Sequence, residues 1–326
     1  MTDTSYKIVT LYHPSHRVTS LADADKFFND VFGIPSVWRH QIFDKPDPKY
    51  PTFPTDYCIF TSIADVFFDC IDPKKYVIDG VQRYEDIAEP HLHGLGWAVG
   101  GIDEIYALLN EMGIRSTDQA NRLADPNECP VASFKPSKLF FTVPEHSGLR
   151  YEYYPATSMG AYDIRNSPSW KLEPRSGKGS LGVQFCSHHT ILTANLARAL
   201  RLYIGLMGGR QIHTAKNTLR GTDSVFVLLA DAVYEFATPI PSTDSYALRD
   251  FEARRNKAED VYHALTWKVE DLGRAEAHLQ KQGVEVIARN DEMLVVNPTA
   301  GLGIPWGFTA SVLPGDDRYV SELQKE

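Results

Sequence analysis

Leu95, Trp97 and Val99 alternate at period two, and after Ile102 the apolar positions move to Ile105, Leu108, Leu109 and Met112. The first spacing predicts a strand and the second a helix. Gly113 follows the last apolar turn, where helices commonly close on a left-handed residue. The same pattern returns 170 residues later, from His263 to Val284, again closed by a glycine, Gly283. Of the 22 aligned positions, 7 are identical, among them the opening His, the Trp and the closing Gly. The matches fall where strand, helix and cap each require them, which makes this an internal repeat.

A second pair of strand-helix starts precedes these. Ser20 and Asp23 open a helix with a capping-box pattern, Leu21, Ala24, Phe28 and Val31 fall on one face, and Gly33 ends it. Leu196, Ala199, Tyr203 and Leu206 repeat that face, and Gly208 ends it; Leu21 to Gly33 and Leu196 to Gly208 both span 12 residues. Further echoes follow. "ADVFFDCIDP" matches "ADAVYEFATP", aligning Asp69 with Glu235, and "SGLRYEYYP" matches "AGLGIPWGF", aligning Glu152 with Pro305. The chain is therefore read as four β-α starts, each followed by several strands, in the order A, B, A′, B′.

Four βαβββ modules in two tandem pairs resemble the vicinal oxygen chelate superfamily, which includes glyoxalase I, extradiol ring-cleaving dioxygenases and bleomycin-resistance proteins. The resemblance runs over residues 6–155 and 181–310. It implies an α+β fold in which each module pair forms a cup-shaped mixed sheet with helices outside. The expected division is an N-terminal domain over 1–158, a linker over 159–180 and a C-terminal domain over 181–326.

In that family, metal ligands come from the first and last strands of each module. Carried over, they fall on His13, His93 and Glu152, with Asp69 at the position that glyoxalase-type members use as a fourth ligand or base. The matching set in the second half is His188, Glu235 and His263, with Pro305 where a carboxylate would stand and His189 as the alternative to His188. Two imidazoles with one or two carboxylates make a borderline N/O site for one divalent ion, Fe2+, Mn2+, Zn2+ or Ni2+. The resemblance thus implies a metal-dependent enzyme on a small oxygenated compound, aromatic ones included. Redox-neutral isomerase, lyase or hydrolase chemistry with Asp69 as the base is placed first. Extradiol-type iron-dependent ring cleavage is the alternative, and a metal-free binding protein the third reading. Ring cleavage ranks lower because "KLFFTVPEHSGLRYE" lacks that family's tyrosine and upstream histidine, and Pro305 removes the second-half carboxylate. The N-terminal cup is expected to hold the principal metal. Trp97 and Trp267, four residues after their histidines, are expected to face the cups as well.

Composition narrows the partners. A net charge of −9 with no Lys/Arg cluster gives no footprint for a phosphate backbone, so the expected partner is a small molecule and not nucleic acid. An assembly of identical chains is compatible with this. No run of 18 apolar residues predicts a membrane span, and "MTDTSYK" lacks the build of a signal peptide, so a cytoplasmic location is expected. Cys58, Cys70, Cys129 and Cys186 form no C-x-x-C and are expected as buried, reduced thiols.

Overall fold

The computed structural model describes residues 5–42, 51–133, 137–159, 179–255 and 260–319. In the first half, β1 (Lys7–Arg17), α1 (Leu21–Phe27), β2 (Val37–Trp38), α2 (Arg39–Ile42), β3 (Cys58–Ile63) and β4 (Val66–Ile71) form the first module. A small hairpin, β5 (Val77–Ile78) and β6 (Val81–Gln82), leads to β7 (His91–Gly100), α3 (Ile102–Glu111), β8 (Ser116–Thr117), β9 (Phe140–Thr142), α4 (Pro144–Ser147) and β10 (Arg150–Pro155). The second half runs β11 (Val183–Thr193), α5 (Leu196–Leu200), β12 (Arg210–Asn217), β13 (Thr222–Leu229), β14 (Ala232–Pro239) and α6 (Tyr246–Arg254). It continues with β15 (Asp260–Val269), α7 (Leu272–Lys281), β16 (Val286–Arg289), β17 (Met293–Val296) and β18 (Gly307–Thr309). The stretch expected as a linker lies almost wholly outside the described residues.

Each half builds one mixed sheet of 8 strands, ordered β2-β3-β4-β1-β7-β10-β9-β8 and β12-β13-β14-β11-β15-β18-β17-β16. The two orders are the same, as tandem βαβββ pairs require, and the fold is α+β. Local chemistry sets the helices: the Ser20 side chain accepts from the Asp23 backbone N–H, as Asn195 does from Arg198, and both helices run on into a π turn. Gly33 closes the first at φ 74°, a left-handed conformation open to glycine at little cost. Among the described residues no helix is long and apolar enough to cross a membrane. All four cysteines are buried and unbridged.

One apolar core joins both halves. Each half sends the end of its first helix against the sheet of the other. Phe32 packs on Trp267 and Trp306 at centroid distances of 5.9 and 5.3 Å, and Tyr203 packs on Trp97 at 5.4 Å. Trp97 Nε1 donates to the Tyr234 hydroxyl at 3.0 Å. Trp97 and Trp267 thus lie fully buried between the sheets, away from the cups. The expectation that they wall the pockets fails because strand alternation sends Leu95, Trp97 and Val99 to the shared core and Gly94, Gly96 and Ala98 to the other face.

Because both indoles belong to the same core, Trp97→Ala and Trp267→Ala should each cost about 3–5 kcal/mol of unfolding free energy. Urea unfolding followed by fluorescence and circular dichroism should remain a single transition in the parent protein. Two separated transitions would mean that the halves hold independent cores.

Candidate functional site

β1 lies between β4 and β7 at the centre of the first sheet. Its register sets Ser15 beside Asp69 and His13 beside Gly96, while β10 sets Glu152 beside Gly96 from the other side. His13, Asp69 and Glu152 therefore converge on one face, at a partly open pocket of about 70 Å³ whose aromatic walls include Tyr12, Phe60, Phe67 and Tyr154. Gly96 is what admits the imidazole: a Cβ there would stand 2.9 Å from His13 Nε2. His13 Nε2 is 3.6 Å from Glu152 Oε2, Ser15 Oγ is 3.4 Å from His13 Nδ1, and the Tyr154 hydroxyl donates to Glu152 Oε1. Burial pushes the Asp69 carboxyl up to about 7, and the nearby Glu152 charge adds to the rise. Asp69 Oδ1 is buried with no hydrogen-bond partner among the described residues.

His93 does not join this group. Between Ser15–Gly94 and His16–Leu92 the ladder slips, leaving His93 as the extra residue of a β-bulge. Its Nε2 accepts a hydrogen bond from Arg17 Nη2 at 2.7 Å, and its ring meets Tyr84 edge-on. Burial first, and then the charge of Arg17, hold His93 well below the usual imidazole range, so it is neutral. The lone pair that a metal would use is occupied by a guanidinium.

The second half repeats the register with different side chains. His188 pairs with Thr266 as His13 pairs with Gly96, so His188 is the cup-facing residue; His189 points into the core, where its Nδ1 bonds the Tyr262 hydroxyl at 2.6 Å. Glu235 stands beside Thr190 as Asp69 stands beside Ser15, 3.4 Å from His188 Nε2. The counterpart of Glu152 is Gly307, which pairs with Thr266; the sequence alignment to Pro305 was two residues out. A Cβ on Gly307 would lie 2.8 Å from Arg220 Nη2. The Arg220 guanidinium fills the room a carboxylate would need, and Nη2 donates to the Pro305 carbonyl at 3.1 Å. Burial opposes the Glu235 charge, but hydrogen bonding and charge from His188, then Arg220 and the Thr190 hydroxyl, hold its carboxyl at about 2. His263 again occupies a bulge, and its Nδ1 donates to Asp250 Oδ2 at 2.6 Å, an acid also gripped by Arg254. His213 lines a larger cavity of about 460 Å³ beside His188, whereas His40 is exposed.

The expected metal sets are therefore only partly assembled. Among the described residues, no three His, Cys, Asp or Glu side chains stand together as a group that could hold a metal ion. The full family sets do not fit a metal as placed, because His93 serves Arg17, His263 serves Asp250, and Arg220 covers Gly307; His13, Asp69 and Glu152 share one pocket without standing as a formed ligand group. Sequence reasoning missed Arg17, Arg220 and Asp250. One signal was available: the second half has no carboxylate at the last-strand position, and an unopposed buried cation elsewhere is a natural complement to Glu235.

Residues 187–293 match the model of the glyoxalase/bleomycin resistance protein/dioxygenase superfamily. The match shows the superfamily for that segment, and the tandem sheets carry the same fold through the rest of the chain. A variant of 4-hydroxymandelate synthase from Streptomyces coelicolor aligns over 98% of this chain and 100% of that one, with TM-score 0.58 and 12% identity. The Mn(II)-bound glyoxalase from Novosphingobium aromaticivorans aligns over 95% and 85%, with TM-score 0.56 and 11% identity. A 2,3-dioxygenase from a Pseudomonas species aligns over 96% of both chains, with TM-score 0.55 and 11% identity. Identities this low carry the fold and not the reaction. No curated protein sequence matches the chain.

Arg220→Gln should release Glu235 from part of its restraint. The Glu235 carboxyl midpoint, followed by carbon-detected magnetic resonance, is expected to climb from about 2 toward the ordinary carboxylate range. An unmoved midpoint would remove Arg220 from the causes.

Proposed function

We propose that this vicinal oxygen chelate protein is an enzyme of redox-neutral proton transfer, working at His13, Asp69 and Glu152 in the N-terminal cup. The observation that carries the reading is Asp69: a carboxyl raised to about 7, with an unpartnered oxygen, lining a narrow pocket it shares with the His13 imidazole. A base with its midpoint near the working pH combines adequate basicity with a large ionised fraction.

Ionised Asp69 would take a proton from a carbon next to a substrate carbonyl. His13 would turn its Nε2–H from Glu152, 3.6 Å away and itself held by Tyr154, to the oxygen on which charge develops. Return of the proton to the carbon, on the same or the other face, completes an isomerisation or epimerisation. The space of about 70 Å³ is half of an engineered void of roughly 150 Å³ that holds benzene, so it suits a compact oxygenated group.

Isotope exchange at carbon reports this chemistry whatever the product. A panel of small 2-oxo acids, 2-hydroxy acids and ketones in D2O, followed by proton magnetic resonance, should show washout of the α-proton from at least one member. Asp69→Asn should slow that exchange by roughly 10²- to 10⁴-fold. The exchange rate should rise with pH through about 7, because the ionised form is the base. The groups facing Asp69 are His13, Glu152, Cys58 and Arg39, and Glu152 is the one raising it by charge. Glu152→Gln should therefore move the rise to lower pH. Absence of washout across the panel, or full exchange by Asp69→Asn, would refute the reading.

A divalent ion held by His13, Asp69 and Glu152 is the second reading, favoured by the orphaned Asp69 oxygen; such an ion would polarise the substrate carbonyl. Exchange that survives EDTA supports the first reading. Exchange abolished by EDTA and restored by Fe2+, Mn2+, Zn2+ or Ni2+ supports the second.

A further inference from the structure

Three arginines from three segments gather around one ring in the N-terminal half. The guanidinium carbons of Arg17, Arg83 and Arg150 stand 4.4, 5.4 and 5.7 Å from the Tyr84 centroid, and Arg83 and Arg150 also cover Phe141 at 4.3 and 4.6 Å. Arg83 is 1% exposed, and its Nε, Nη1 and Nη2 are all buried with no hydrogen-bond partner among the described residues. The Nε atoms of Arg17 and Arg150 are likewise unpartnered. Among the described residues, none of the three has a carboxylate within ion-pair distance: Asp250 is taken by Arg254 and His263, and Asp260 by Arg198. Glu85 and Glu152 offset the charge only through space.

Cation–π contact with Tyr84 and Phe141 relieves part of this, but a buried Arg83 beside two half-buried guanidinium groups, with no paired counter-charge, is unfavourable. A fork of guanidinium donors matches the oxygens of a carboxylate or phosphate. Arg17 and Arg150, with His91 and His93, line a crevice of about 510 Å³ that continues onto Arg254 and Tyr262 of the second half, its rim also carrying Glu85, Glu145 and the Arg198-paired Asp260. Arg83 does not line the crevice but shares the Tyr84 and Phe141 rings with Arg150. His93 fixes Arg17 by accepting from it at 2.7 Å, so the histidine that the family resemblance assigns to a metal here aims a guanidinium.

We propose that this crevice is a binding site for an oxyanion, a carboxylate or a phosphate group, with Arg17 and Arg150 as its donors and buried Arg83 as its fixed positive charge. The site is separate from the His13–Asp69–Glu152 pocket and does not depend on the chemistry assigned there. Tyr84 is the shared wall, since it lines the pocket and carries the three guanidinium groups.

Thermal unfolding and titration calorimetry of the full chain, with sodium acetate, sodium benzoate or sodium phosphate against sodium chloride at equal ionic strength, test this directly. At least one oxyanion should raise the melting temperature saturably above the chloride control. A response to acetate or benzoate alone assigns a carboxylate, and one to phosphate alone assigns a phosphate. Arg83→Met should melt higher than the parent without added anion, and should bind the active oxyanion at least tenfold more weakly. Should that variant not fold, Arg17→Gln carries the same expectation of at least tenfold weaker binding. No rise beyond chloride with any of the three salts, or parental affinity in the variants, would overturn the proposal.

Discussion

The exchange of aromatic side chains between the halves is the contact on which the rest depends. Phe32 reaches Trp267 and Trp306, and Tyr203 reaches Trp97, so each sheet has one face covered in part by the other half's helix end. Such rings bury large apolar areas and hold fixed geometry. With one face of every central strand committed to that core, alternation leaves the opposite face for chemistry. His13, Asp69 and Glu152 meet because the parity of three strands is set from behind.

The repeat then shows how little of a site's chemistry its backbone decides. Asp69 and Glu235 occupy equivalent register positions beside Ser15 and Thr190, yet one carboxyl is pushed up to about 7 and the other held at about 2. Glu235 is fully buried and Asp69 only half-buried, so desolvation alone does not separate them in this direction. The neighbours do. Glu152 adds a negative charge near Asp69, while Glu235 has Arg220 in the room left by Gly307, the Thr190 and Ser224 hydroxyls, and His188. A glutamate in one half and a glycine in the other turn the same scaffold toward opposite protonation states.

The fold was legible in the sequence because the repeat was: two strand-helix phrases with common spacing and caps, each written twice, leave little freedom in topology. The candidate site was legible in part. Asp69 and Glu152 lie on unbroken strand segments, where period two predicts the facing side, and His13 opens a short regular run to Ser15 between two register slips. His93 and His263 sit in bulges, and a bulge cancels that prediction because the extra residue has no fixed side. Arg220 was hidden for another reason. It arrives from the turn between β12 and β13, and a long side chain reaching from a loop leaves no periodic trace. The Pro305 alignment erred by two residues because the last strands share only their general pattern, and hydrogen-bond register, which sets the true partner, is not written in similarity.

The paired bulges at His93 and His263 carry a consequence for how such a scaffold diverges. A residue inside a regular ladder is bound to its neighbours' alternation, so re-aiming it means sliding the strand and inverting every side chain along it. A residue inside a bulge is exempt. Here two histidines at matching positions of one chain have taken different companions, a guanidinium in one case and an aspartate in the other, without altering strand order or pairing. The bulge works as a swivel set into a rigid frame. New chemistry is tried there one side chain at a time, while the load of keeping the protein folded rests on strands that never feel the change.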